Sequence, residues 1–216
     1  MNCGILGGYF FRLLLKKSIG KRMDHIGRKL YHLMGGVGLL SLYYLMGRDW
    51  SLALYTVLFV TVLGLDIIRL SIPAVNRFIF KWFSSFIRRN EEHKLTGTGP
   101  YILGIGLSLY FYATPIATAA ICFLAFGDVA ATTVGERYGK IKIGEKSLEG
   151  TTAFAVAAIC SGLFLMFTGM HLLPWVTILG AFVAAGVELL PLRINDNLVI
   201  PIVSGGVMEL AVRMAR

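Results

Sequence analysis

Phe126-Gly127-Asp128-Val129-Ala130-Ala131, then Val134-Gly135-Glu136-Arg137-Tyr138-Gly139-Lys140, then Lys146-Ser147-Leu148-Glu149-Gly150-Thr151-Thr152 make up the stretch 126–152 on which the reading of this chain turns. A carboxylate sits inside an apolar run, a glycine-spaced basic loop follows, and Lys-Ser and Glu-Gly open another apolar run. Taken as one helix, residues 117–134 put Asp128 roughly 9 Å inside the polar end, at about 1.5 Å per residue. An ionised group is expensive there and marks function by default. Thr132 at i+4 and Gly135 at i+7 share its face, so carboxylate, hydroxyl and bare backbone lie together. Such a face suits a metal and a phosphate.

Outward from this stretch the chain is apolar throughout. Of its 216 residues 56% are hydrophobic and only 15% are charged, with several runs near bilayer length, which excludes an ordinary soluble domain. The expected fold is all-α: a polytopic integral membrane protein of about seven transmembrane helices with interfacial amphipathic helices. The spans are 30–46, 50–68, 101–113, 116–134, 152–168, 173–190 and 198–214. Residues 72–87 carry an apolar stripe at helical spacing and are expected to lie in the interface. One membrane domain, 1–216, is expected, with 1–27 as an N-terminal interfacial segment and 28–214 as the helical core. No cleavable leader is read in the apolar start, which Arg12 interrupts.

A net charge of +9 could suggest nucleic acid, but the basic residues fall in blocks between apolar runs, as in cytoplasmic loops. No nucleic-acid partner is read from it. With the N-terminus inside, 18 of the 21 Lys and Arg residues fall on the inner side and three on the outer, in keeping with the positive-inside rule. Arg28, Lys29, His32, Arg88, Lys94, Asp128, Lys140, Lys146, Glu149, Glu188 and Asp196 then all gather at the cytoplasmic face. Anionic lipids are expected to favour the same surface. An active site is therefore expected there. Glu209 falls toward the outer end and reads as structural, and Asp66 beside Arg69, at i and i+3, reads as a local pair.

Phosphoryl or nucleotidyl transfer requires a divalent cation on carboxylates, cations against the phosphates and backbone donors at helix starts. Asp128 is the best metal ligand, with Glu149, Glu188 or Asp196 as seconds. Lys140 and Lys146 suit phosphates, and Gly150-Thr151-Thr152 at a helix start offers N–H groups and hydroxyls. His32 or Glu188 can take a proton from a hydroxyl, and spacing does not choose between them. Arg28 and Lys29 also read as interfacial anchors. No Gly-x4-Gly-Lys-Ser/Thr sequence occurs.

Five blocks in order then resemble a family: Arg28-Lys29-x-x-His32; 88–97, with Arg88, Glu92, Lys94 and Gly97; Gly127-Asp128-x-x-Ala131-x3-Gly135-x3-Gly139-Lys140; Lys146-Ser147-x-Glu149-Gly150; and Asp196-Asn197-x3-Pro201. Together they resemble the membrane CTP-dependent lipid kinases, namely dolichol kinase, phytol kinase and the yeast-type diacylglycerol kinase. The resemblance implies transfer of a phosphoryl group from CTP, or UTP in some members, to a membrane lipid alcohol, with Mg2+ or another divalent cation. It implies roles for Arg28 and Lys29 beyond anchoring and a central acidic role for Asp128. It also implies nucleotide handling by Gly135, Lys140, Lys146, Ser147, Glu149 and Gly150, with Gly127, Gly139 and Asn197 in the same blocks and Thr151 directly after Gly150. Asn195 departs from the pattern, standing where many members carry an acid.

Two other readings compete. A CDP-lipid synthase also places Gly-Asp inside a helix, but a longer acidic signature is expected near its C-terminus. A transporter also uses intramembrane acids, but repeated halves and broken helices are expected there. The acceptor stays open among polyprenol, phytol-type alcohols and diacylglycerol, each a single hydroxyl on an apolar body. Gly35, Gly36 and Gly38 allow close helix packing within one subunit or across a homodimer.

Overall fold

The computed structural model describes residues 30–83, 91–192 and 194–215. Arg28, Lys29, Arg88 and the segment 1–27 lie outside the described residues. The elements are α1 (Leu30–Met46), α2 (Arg48–Ser71), α3 (Pro73–Phe83), α4 (Thr98–Phe111), α5 (Thr114–Tyr138), β1 (Lys142–Ile143), β2 (Lys146–Ser147), α6 (Leu148–Phe167), α7 (Pro174–Leu189) and α8 (Asp196–Met214). The regular structure of the described residues is thus helical apart from one antiparallel hairpin of two-residue strands, in which Lys142 faces Ser147 and Ile143 faces Lys146.

Four helices are long and apolar enough to cross a membrane: α2, α5, α6 and α8. α1 and α7 are shorter apolar helices, and α4 has 14 residues, about 21 Å at 1.5 Å per residue against a hydrocarbon core of about 30 Å. Each of the seven expected spans is a helix, but only four reach spanning length. α3 buries none of its residues, and Phe78, Trp82 and Phe83 are exposed along it, as an interfacial helix requires.

α5 is the axis of the bundle. It touches α4, α6, α7 and α8, and residues 116–125 along it are buried without a break. Its first turn holds Pro115, where a missing N–H costs no helical bond. It runs on to Tyr138, one turn beyond the apolar run, because Glu136, Arg137 and Tyr138 are exposed and still helical. Asp128 is therefore deeper than expected, about 15 Å from the helix end at 1.5 Å per residue.

Small residues set the closest approaches. A Cβ on Gly127 would meet the Phe154 ring at 2.6 Å, and one on Gly150 would meet the Ala131 carbonyl at 2.8 Å, so α5 and α6 touch backbone to side chain along the stretch 126–152. On α8, Pro201 removes the bond to the Asn197 carbonyl. α4 fills that place with Gly104, whose Cβ would lie 2.5 Å from the same oxygen. Hydroxyls inside the helices turn back onto the carbonyl one turn earlier, as Ser108 does to Gly104 and Ser204 to Ile200, which satisfies them without a second helix.

Gly47, at φ +80°, is the single residue that reverses the chain between α1 and α2, in a left-handed conformation other side chains resist. The helices then alternate in direction. The starts of α1, α4, α6 and α8 and the ends of α2, α5 and α7 meet at one pole.

Candidate active site

Asp128 lies on α5 at this pole, partly exposed, beside buried Gly127. Its charge is felt at Tyr101 on α4 and at Glu188 on α7, so it lies within electrostatic reach of both. Among the described residues its carboxylate has no hydrogen-bond or ion-pair partner. Only its backbone is engaged, the carbonyl accepting from Thr132 Oγ1 at 2.8 Å. An intramembrane carboxylate that the fold does not use is available to a ligand.

Lys146 joins three elements. Nζ is 2.6 Å from Asp196 Oδ2 and 3.8 Å from Glu188 Oε1, and it also donates to the Glu188 carbonyl. Glu188 is buried, and its Oε2 accepts from Thr151 Oγ1 at 2.8 Å. Local sequence explains the placement: Asn195 caps α8 by accepting from the Asn197 N–H, which sets Asp196 in the first turn, where a negative charge is favoured. The departure from the family pattern at Asn195 thus has a local use.

The start of α6 differs from the expectation of open donors. Gly150 N–H goes to Ser147 Oγ at 3.1 Å, Leu148 N–H goes to the Ile141 carbonyl at 3.0 Å, and the Thr151 hydroxyl goes to Glu188. Ser147 is the N-cap, and the chain satisfies its own helix start. Gly135, Gly139 and Gly150 surround the Ser147 side chain, where a Cβ on Gly135 would meet Oγ at 2.9 Å. Their visible work is close packing of α5 on α6. Glu149 turns to the loop, its carboxylate accepting from Ile141 N–H at 3.2 Å and 3.3 Å. Lys140 is exposed on that loop, which folds as the hairpin around Gly144 at φ +64°.

His32 is buried on α1, its ring edge-on to Tyr101 at 4.8 Å between centroids, and Tyr101 Oη donates to the His32 carbonyl at 2.6 Å. Residues 91–97 close the rim. Gly97 N–H goes to Glu91 Oε1 at 3.0 Å, and its carbonyl accepts from Asn197 Nδ2 at 3.1 Å. Glu92 and Lys94 are exposed there.

Sequence reasoning passed over what holds this rim. Asp66 and Arg69 are the expected local pair, 2.9 Å apart, but both are buried and both reach across the chain. Asp66 Oδ2 accepts from Thr96 N–H at 2.7 Å and from Thr96 Oγ1 at 2.9 Å. Arg69 donates to Asn76 Oδ1 and to the carbonyls of Glu91 and Lys94. The one signal was an arginine at the end of an apolar run, and spacing cannot show its distant partners.

Of the four carboxylates weighed as metal ligands, Asp128 is open, Asp196 is paired with Lys146, Glu188 is engaged by Thr151 and Lys146, and Glu149 faces the loop. Among the described residues no group of three His, Cys, Asp or Glu side chains converges on one point. A dedicated protein cage is thus not built from them. The donor chemistry fits a hard cation that takes one carboxylate from Asp128 and its other oxygens from phosphates, as Mg2+ does with nucleotides.

No family model matches the chain, and no solved structure matches it. Among curated proteins it is 28% identical over 217 residues to CTP-dependent diacylglycerol kinase 1 of Saccharomyces cerevisiae, covering 87% of this chain and 73% of that protein. It is 31% identical over 160 residues to CTP-dependent diacylglycerol kinase 1 of Schizosaccharomyces pombe, covering 67% and 73%. To the chloroplastic farnesol kinase of Arabidopsis thaliana it is 29% identical over 209 residues, covering 87% and 66%.

Proposed function

This chain belongs to the family of CTP-dependent lipid kinases, and on that premise we propose that it transfers the γ-phosphate of CTP to the hydroxyl of a membrane lipid, with diacylglycerol the first acceptor to test. The observation that carries the reading at the level of the site is the unpartnered Asp128 carboxylate within electrostatic reach of Glu188, which Lys146 joins to Asp196, in an apolar bundle. Isoprenoid alcohols are the second acceptor class, favoured by the similarity to a farnesol kinase. We place this pole on the cytoplasmic side, where the basic loops fall and nucleotide is available.

Each residue has a task in this reading. Lys146 Nζ, a quarter exposed and oriented by Asp196 and Glu188, neutralises phosphate charge as it spreads in a loose transition state. Lys140, exposed on the hairpin loop, adds positive charge. Asp128 would hold the divalent cation, which when bound supplies charge neutralisation on the triphosphate. Glu188 Oε2 is taken by Thr151, which leaves Oε1 to receive the proton of the acceptor hydroxyl. The bond from the γ-phosphorus to the bridging oxygen of CDP breaks, the bond to the lipid oxygen forms, and CDP leaves. Buried His32 packs edge-on against Tyr101 and, through its carbonyl, holds the Tyr101 hydroxyl, rather than meeting phosphate. Gly127, Gly135, Gly139, Ser147 and Gly150 hold α5 against α6 and so fix Asp128 relative to Lys146.

The test uses the full chain in liposomes with magnesium and CTP labelled separately at the α- and γ-phosphates, with diacylglycerol, phytol, farnesol, polyprenol and phosphatidate offered one at a time. Label from the γ position in a phosphorylated lipid is expected. Label from the α position on phosphatidate would make the protein a CDP-lipid synthase instead.

A further inference from the structure

Arg69 takes no part in the reaction just described, yet its guanidinium makes hydrogen bonds to four acceptors. Nε is 3.0 Å from Asp66 Oδ1 and Nη2 is 2.9 Å from the same oxygen. Nη1 reaches Asn76 Oδ1 at 3.1 Å and the Glu91 carbonyl at 2.9 Å, and Nη2 reaches the Lys94 carbonyl at 2.6 Å. The guanidinium also lies 5.7 Å from the centre of the Phe80 ring. With 2% of its surface exposed, it is the centre of a closed polar cluster at the end of a span. Only a planar fork of five donors serves these acceptors together, and an ammonium with three cannot.

We propose that Arg69 is a positioning residue for phosphoryl transfer: it fixes the backbone of residues 91–97 at the mouth of the active site and ties it to the interfacial helix α3. Two of its partners are backbone carbonyls of that segment, and its own partner Asp66 holds the segment a third time through Thr96. Asn76 and Phe80 belong to α3, and Asn76 Nδ2 adds a bond to the Glu92 carbonyl at 2.9 Å. The fixed segment carries the exposed side chains of Glu92 and Lys94 and ends at Gly97, whose carbonyl holds Asn197 next to Asp196. Asp196 is the partner of Lys146, so placement passes from Arg69 through one loop to the lysine that faces phosphate. The inference rests on the lipid kinase reading for its effect on rate, and on the geometry alone for its effect on the loop.

The test compares wild type, Arg69→Lys, Asn76→Ala and the control Arg213→Gln as full chains in liposomes. kcat and KM for CTP are measured beside amide hydrogen exchange of residues 91–97 and of α5. Arg69→Lys is expected to lower kcat about ten- to a hundredfold with KM for CTP unchanged, the signature of lost orientation rather than lost binding. Asn76→Ala, which leaves the Asp66–Arg69 pair intact, does so to a smaller degree and keeps the test open should the lysine variant misfold. Exchange rises at 91–97 and stays as in wild type along α5. Wild-type kcat in both variants, or exchange that rises equally along α5, overturns the proposal. If wild type itself moves no label from CTP to lipid, the kinase reading falls. The loop arm then decides by itself, and unchanged exchange at 91–97 in both variants overturns the positioning role.

Discussion

Two acid–arginine pairs, one at each pole of the bundle, look almost alike in sequence and differ in everything the fold makes of them. Asp66 and Arg69 stand at i, i+3 near the end of α2, while Glu209 and Arg213 stand at i, i+4 near the end of α8. The Arg69 side chain is 2% exposed and the Arg213 side chain 70%. Arg213 has Glu209 at 3.3 Å, and Glu209 also accepts the Ala113 N–H at the turn between α4 and α5. Arg69 instead joins α2, α3 and the rim of the site. Burial, rather than spacing, separates an ornament of a helix end from a centre of the architecture, because a desolvated guanidinium must find an acceptor for every donor.

The largest difference between the pairs is expected in stability. Arg69→Ala leaves Asp66 buried with no cation and two carbonyls with no donor, and breaking a buried pair from one side costs about 3–5 kcal/mol. Thermal unfolding in detergent, followed by loss of the helical signal, measures it. A fall no larger than that of Arg213→Ala would erase the contrast between the poles.

A third carboxylate sharpens the comparison because it belongs to neither pair. Asp128 contributes no side-chain bond to the fold, so Asp128→Asn is expected to leave the unfolding midpoint in place. It should lower kcat on the order of 10²–10³-fold, the range for losing one preorganised electrostatic group. Asp66→Asn is expected to do the opposite, with its main effect on stability. Measuring both quantities on both variants separates a carboxylate that holds the protein from one that serves the reaction.

Next in size is Gly127→Ala. The added methyl would have to displace the Phe154 ring, which is fully buried. Overpacking of this kind costs about 1–3 kcal/mol. If α5 yields by moving away from α6, activity falls with stability because Asp128 moves with it. If the ring yields, only stability falls, and paired measurements of Tm and kcat tell which.

Much of the architecture was legible because a helix in an apolar setting needs only periodicity and length to be seen. The helix α3 declared itself by its apolar stripe. The hairpin at Lys142–Ile143 and Lys146–Ser147 was not legible, since two residues per strand carry no period. The depth of Asp128 was underestimated because helical propensity carries Glu136, Arg137 and Tyr138 on past the apolar run that marked the end. Glu149 and the start of α6 were read as open to a ligand. A sequence does not show that Ile141 N–H and Ser147 Oγ reach them first. The same blindness to distant partners reduced Asp66 and Arg69 to a local pair, although the residues that complete the cluster lie up to 30 positions away.

The smallest expected effect is at Arg213, and it tests whether the outer pole is as passive as its geometry suggests. Its pair with Glu209 is solvent-facing on the arginine side and Arg213 itself bonds only that i−4 neighbour, so Arg213→Gln is expected to change stability by less than about 0.5 kcal/mol. Glu209 keeps the Ala113 N–H in that variant, so the turn between α4 and α5 stays closed. Rate should also be unchanged, because α5 carries Asp128 some 21 Å from its start, at about 1.5 Å per residue over the intervening turns. A loss of activity here, at wild-type stability, would mean that the two poles communicate along α8 to Asp196. The contrast drawn between the pairs would then hold for the fold and fail for the reaction.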